Sequence, residues 1–171
     1  MLLFGSAAAE LRRYAAKSWP RRERTLFNIE FTTGEPELQD EGWTGLWGRV
    51  TLGEYEESFV ASLSLWSRED YEQQWKDAAE RLIAGAPSTA FFTSAFQFWW
   101  CMWRSAATVR VHEELLTPER LAVLGPAPDL TCAPYELLGD YRSLSGEGQA
   151  ISEWRLGLSD VEEFLVRRSS P

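Results

Sequence analysis

The chain has 171 residues, enough for one domain with a substantial core and too few for two comfortable ones. Its formal charge of −9 is uneven: residues 1–24 carry six Lys/Arg against two Asp/Glu, leaving 11 basic and 24 acidic groups, a net of −13, on residues 25–171. So acidic a body repels phosphate backbones, which argues against direct binding of DNA or RNA, and it attracts basic proteins besides aiding solubility.

Met1-Leu2-Leu3-Phe4 lacks the preceding positive charge of a secretory signal, and no apolar run reaches the length of a membrane span. A cytoplasmic location without membrane contact is expected. Glu10 to Arg24 is Arg-rich and imitates an organelle transit peptide, but it reads more simply as a basic N-terminal arm or short amphipathic helix ended by Trp19-Pro20. The domain proper is expected over residues 25–168.

Thr25 to Thr33 alternates, with Phe27, Ile29 and Phe31 on one face, and predicts a first strand. An acidic loop follows over 34–42. Leu46, Val50 and Leu52 share a face over 45–52, and Tyr55, Phe59, Ala61, Leu63 and Leu65 alternate just beyond, with Leu52-Gly53-Glu54 as the turn between two antiparallel strands. Ser67 and Asp70 have capping-box spacing, so a helix starts here. Tyr71, Trp75, Ala78, Ala79 and Leu82 line one side of it, and Glu72/Lys76 and Asp77/Arg81 form i,i+4 pairs on the other. Gly85 ends it and Pro87 prevents its resumption.

Thr89 to Phe96 and Phe98 to Arg104 are aromatic-rich strands, and Thr108 to Leu116 returns across Ser105-Ala106-Ala107 as a hairpin. Trp99 and Trp100 must point to opposite faces, which leaves one of them exposed or covered by a helix. Thr117-Pro118-Glu119 opens a short helix to Leu124. Residues 126–136, with three prolines, read as a surface loop. Tyr135 to Leu144 is ambiguous between strand and coil, Ser145 to Gln149 is a tight polar turn, and Ala150 to Leu158 alternates as a last strand. Ser159 with Glu162 repeats the capping-box spacing and opens a final helix. Strands in sequence order with two to three inserted helices predict a single α+β domain built on an antiparallel sheet.

The chemistry of the chain is sparse. His112 is the only histidine, which excludes multi-histidine metal sites; beside Glu113 and Glu114 it reads as a partly exposed, charge-paired strand residue. Cys101 and Cys132 sit in apolar settings and read as buried free thiols of a reducing compartment. No phosphate-binding loop, dinucleotide fingerprint or nucleophile elbow occurs, and Gly45-Leu46-Trp47-Gly48 merely spaces two glycines in a strand. Neither a catalytic residue, a metal nor a cofactor is predicted. Carboxylate pairs are plentiful; Glu54, Glu56, Glu57, Glu69 and Asp70 are the best candidates for a hydrolytic pair, and Glu54 and Glu56 share a solvated strand face with Ser58.

The acidic cluster is more informative as a surface. Between Glu30 and Glu57 eight carboxylates, Glu30, Glu35, Glu37, Asp40, Glu41, Glu54, Glu56 and Glu57, face Arg49 alone. All but Glu30 are the candidate partner-binding residues, because such density steers a basic protein. A solvated charged loop is the plainer alternative.

Three separated blocks carry a family resemblance: Trp66 to Gly85; Phe98-Trp99-Trp100-Cys101-Met102-Trp103-Arg104 with Thr108-Val109-Arg110-Val111; and Ile151-Ser152-Glu153-Trp154 leading to Asp160-Val161-Glu162-Glu163-Phe164-Leu165. In this order they resemble the immunity proteins of bacterial contact-dependent growth inhibition systems. The match spans residues 25–168, is weakest over 117–145, and departs from the family pattern at Ser105-Ala106-Ala107 and near Cys101. The resemblance implies a small cytosolic protein, not an enzyme, that binds a cognate toxin domain, often a nuclease, and blocks it. It transfers no functional residue; Trp66, Tyr71, Trp75 and Trp154 look like fold determinants. The alternative is a binding module whose Trp99, Trp100 and Trp103 hold an aromatic or sugar ligand.

Overall fold

A computed structural model describes residues 27–38, 42–64, 66–93, 98–115, 135 and 138–169. Among these described residues eight strands and two helices follow in the order β1 (Phe27–Phe31), β2 (Glu37–Leu38), β3 (Thr44–Leu52), β4 (Tyr55–Ser62), α1 (Arg68–Ile83), β5 (Ser88–Phe92), β6 (Phe98–Ser105), β7 (Thr108–Leu115), β8 (Trp154–Gly157) and α2 (Leu158–Ser169). The class is α+β, as expected, but the strands divide into two four-stranded antiparallel sheets. In the first, β3 is central, with β4 on one side and β1 and β2 on the other; the second runs β5-β6-β7-β8. The basic arm of residues 1–24, Cys132 and the helix expected over 117–124 lie outside the described residues.

Strand alternation assigns the faces. Phe27, Ile29, Val50, Leu52 and Ala61 point inward from the first sheet. Phe91, Trp100, Met102, Val109 and Val111 point inward from the second. Phe27 lies 5.1 Å from both Phe91 and Phe164, so one aromatic contact joins the two sheets and α2. Farther along, Tyr55 meets Trp154 at 4.6 Å and Trp100 at 6.1 Å. Burial of this shared apolar surface is the main force holding the sheets together.

The first helix forms as its sequence dictates. Ser67 Oγ accepts from Asp70 N–H at 3.2 Å, and Asp70 Oδ2 accepts from Ser67 N–H at 2.8 Å, completing the capping box. These hydrogen bonds, that from the Ser67 backbone foremost, hold the Asp70 carboxyl below its usual range. At the other end Gly85, at φ +107°, donates to Leu82 O while Ala86 donates to Arg81 O, closing the C-terminus as a Schellman motif. Arg104 adds Nη1 donations to Leu82 O and Ile83 O. Tyr71, Trp75, Ala78, Ala79 and Leu82 are all buried. The expected surface pairs are displaced: Arg68 pairs with Glu72 at 3.1 Å and Lys76 with Glu80 at 3.8 Å.

Three further expectations are corrected. The last strand covers only 154–157, and α2 opens at Leu158 rather than after Ser159. Gly157 is the capping position and donates to Asp160 Oδ2 at 2.6 Å, while Leu158 N–H is drawn to Ala107 O at 2.8 Å. His112 is fully buried, not partly exposed. Tyr141 covers it with ring centroids 5.4 Å apart, and Trp103 Nε1, on the same face, donates to Gly139 O at 3.0 Å. Trp99 and Trp100 point to opposite faces, as expected, and of the two alternatives exposure is not realised, each being only 1% exposed.

The hairpin at 105–108 closes on a two-residue turn with Ala106 at φ +55°, a left-handed conformation that suits glycine. Ala106→Gly is expected to stabilise the fold by about 0.5–1 kcal/mol, the relief of strain exceeding the added chain entropy. Urea unfolding checks this, and a loss of stability would show that the turn is not strained.

Candidate functional site

The same alternation that buries Leu46, Val50 and Leu52 turns Trp47, Arg49 and Thr51 to the other face of β3. Asn28 and Glu30 on β1 and Glu56 on β4 are their cross-strand partners or diagonal neighbours. With Gly53 and Glu54 of the turn they line a shallow open hollow of about 500 Å³. Gly53, at φ +66°, makes the tight reversal possible. Arg49 stands in the middle, its Nη2 3.4 Å from Glu30 Oε1 and its Nη1 3.7 Å from Glu56 Oε2. Two carboxylates thus pair with one guanidinium, and with Glu54 also lining it the hollow stays negative.

At the far end of this face Trp47 is 38% exposed, and its Nε1 donates to Glu37 Oε2 at 3.0 Å. Val60 is its cross-strand neighbour, whereas the exposed Leu38 of β2 pairs with Thr44 and so has the opposite parity. An acidic hollow beside an oriented aromatic is a combination suited to a basic protein surface with an apolar anchor.

The candidate residues do not all join this face. Glu54 and Glu56 line it, Glu37 borders it through Trp47, and Glu35 is exposed in the turn after β1. Asp40 and Glu41 lie outside the described residues. Glu57 points the other way, on the parity of Tyr55 and Phe59, and accepts a hydrogen bond from Tyr55 Oη. That bond, reinforced by burial, pushes the Tyr55 phenol up to about 12. Glu113 of β7 stands near enough that burial first, and the charge of Glu57 second, raise its carboxyl. Glu57 therefore belongs to the rim between the sheets rather than to the outer acidic face.

Trp47 and Arg49 are the site residues that reasoning from charge alone passed over. Their signal was present: in a strand with one buried face, the intervening residues must face out.

Trp99, Trp100 and Trp103 are core residues, with Trp103 the least buried at 7% exposure. Of the five candidate hydrolytic carboxylates, Glu54, Glu56, Glu69 and Asp70 face solvent, and Asp70 is occupied as a cap. Among the described residues no group of three or more His, Cys, Asp or Glu is arranged to hold a metal ion. Among them, too, no helix is long and apolar enough to cross a membrane.

Comparison with known proteins bears on this arrangement. The family model described as the CdiI N-terminal domain matches residues 61–164, from the end of β4 into α2. Among solved structures, a chain of the "CdiA-CT/CdiI toxin and immunity complex from Enterobacter cloacae" superposes with a TM-score of 0.70 at 23% identity, covering 83% of this chain and 97% of that one. At that identity the likeness concerns the fold. No curated protein sequence matches the chain. The match over well more than half its length places the chain in the CdiI family, the immunity proteins of bacterial contact-dependent growth inhibition systems.

Proposed function

We propose that this immunity protein binds a cognate toxin domain delivered by contact, a nuclease, and neutralises it by occlusion in the cytoplasm of the cell that makes both. Membership of the CdiI family carries the reading. An inhibitor of this kind needs no catalytic group of its own. The outer face of the first sheet, with Glu30, Glu54 and Glu56 around Arg49 and Trp47 at one end, suits a basic nucleic-acid-binding cleft. Covering such a cleft would bury about 1,600 Å² in an interface of standard size.

The test begins with the neighbouring gene, which is expected to encode a toxin domain that co-purifies with the chain. Glu54→Lys combined with Glu56→Lys should slow association about tenfold at low salt and flatten its salt dependence. Both residues are exposed, so folding is expected to be kept. Unchanged association kinetics would move the contact to another face, and failure to bind any such domain would reject the function.

A further inference from the structure

The edges of the two sheets are closed unequally. On β1, Thr32 N–H bonds Trp47 O at 2.8 Å, so Phe27 and Ile29, on the opposite parity, direct their peptide groups away from the sheet. Arg167 Nη2 donates to Phe27 O at 2.7 Å, and Arg168 Nη2 donates to Ile29 O. On β5, Arg104 N–H bonds Pro87 O at 2.9 Å, which turns Ala90 and Phe92 outward. Gln74 occupies that edge as a strand would: Nε2 donates to Ala90 O at 2.8 Å and Oε1 accepts from Phe92 N–H at 3.2 Å. Trp75 Nε1 completes the seal on Phe92 O at 2.6 Å. β8 is only four residues long, and its outward Gly157 N–H is taken by Asp160. Short or covered edges of this kind prevent unwanted strand pairing.

β4 differs. Its two-residue connection to β3 makes Leu52 and Tyr55 the hydrogen-bonded closing pair, so Tyr55, Glu57, Phe59 and Ala61 bond β3 while Glu56, Ser58, Val60 and Ser62 face outward. Ser62 O receives the Tyr71 hydroxyl at 3.0 Å. Among the described residues nothing bonds the outward peptide groups of Glu56, Ser58 and Val60. They form an open ladder of about 14 Å at the usual rise per residue.

We infer that the free edge of β4 receives an extended basic segment of the partner protein as an added strand of the first sheet. The partner's identity rests on the function proposed above; the edge itself does not. Side-chain charge selects the occupant. An incoming strand with Lys or Arg at alternate positions meets Glu54 and Glu56 on the outer face, while its other face meets Glu57 and Phe59. A second copy of this chain would instead bring six such carboxylates together along the two strands.

Ser58→Pro tests this directly. Ser58 stands opposite Arg49 at a position that makes no bond to β3, so proline removes an outward N–H without breaking the ladder. The probe is a ten-residue peptide alternating Lys and Val, with a second version N-methylated at every residue so that neither edge keeps an N–H donor. The wild-type chain and Ser58→Ala should bind the first peptide, whereas Ser58→Pro, and the methylated peptide on the wild type, should each lose about tenfold or more in affinity. Equal binding of both peptides by the wild type overturns the inference even if Ser58→Pro fails to fold, as does no binding of either at millimolar concentration. Wild-type dimerisation that Ser58→Pro abolishes would overturn it in favour of a second copy. If charge reversal at Glu54 and Glu56 slows toxin association while Ser58→Pro leaves toxin binding unchanged, the acidic face stands and the edge inference falls.

Discussion

Trp75→Ala is expected to cost about 3–5 kcal/mol, against the 5–15 kcal/mol of a typical domain, and to lower the melting temperature by about 10 °C or more. The indole is fully buried, with Phe31 4.9 Å and Phe59 6.1 Å away by ring centroids and the Arg168 guanidinium 5.5 Å from its ring. Truncation leaves a cavity where the first sheet, α1 and α2 meet. It also removes the Nε1 donor from Phe92 O, orphaning a buried carbonyl on the β5 edge. Trp75→Phe separates the two effects, since it keeps most of the volume and loses the donor, and should cost about 1–3 kcal/mol. Urea unfolding at constant m-value measures both. A loss below about 1 kcal/mol for alanine would contradict the assignment of Trp75 to the core.

That α1 was legible from residue order follows from how many local signals coincide there. The Ser67/Asp70 cap, the apolar face from Tyr71 to Leu82 and the Gly85 stop each act within one or two turns, and each is realised. Even so, the surface pairing was not determined locally. Glu72 has i,i±4 cations on both sides, and it takes Arg68 at 3.1 Å and, from α2, Arg168 at 3.6 Å rather than Lys76.

What escaped was nonlocal. Alternation tells which residues of a strand are buried together but not which strands are neighbours, so the division into two sheets had no signature in Phe27 to Leu65 or Thr89 to Leu116. His112 was misread for the same reason: Glu113 and Glu114 argue for exposure, whereas the residues that bury it arrive from positions 139–153. The start of α2 was missed because its cap is Gly157, which offers no side-chain acceptor to recognise. The acidic face was half legible. Charge density found Glu54 and Glu56, but only strand parity separates Glu57 from them and adds Trp47 and Arg49.

Glu153→Gln is expected to cost about 2 kcal/mol at pH 7, and the cost should shrink on acidification. Glu153 ties the segment after the 145–149 turn to the outer face of the second sheet. Its carboxylate accepts from Tyr141 Oη, from Arg155 Nε at 2.8 Å and from Arg110 Nη1 at 3.3 Å, and lies 3.4 Å from His112 Nε2. Burial alone would raise this carboxyl, since its side chain is only 16% exposed. Hydrogen bonds from Tyr141, Arg155, His112 and Arg110 together outweigh that and bring it down to about 2. A carboxyl depressed in the folded state contributes its stability fully above the ordinary value of 4.5 and loses it as pH falls through that value toward 2. The difference in unfolding free energy between wild type and Glu153→Gln should therefore be constant from pH 8 to about pH 5 and decline steadily below. Other carboxylates titrate in both proteins and cancel in that difference. A difference independent of pH down to 3 would show that Glu153 acts by shape alone. Because His112 Nδ1 has no partner among the described residues, loss of the Glu153 charge weakens the polar contact that orients the buried ring. The same variant should accordingly loosen the cover over Trp103 and His112, seen as faster amide exchange at residues 139–143, while exchange in α1 stays unchanged.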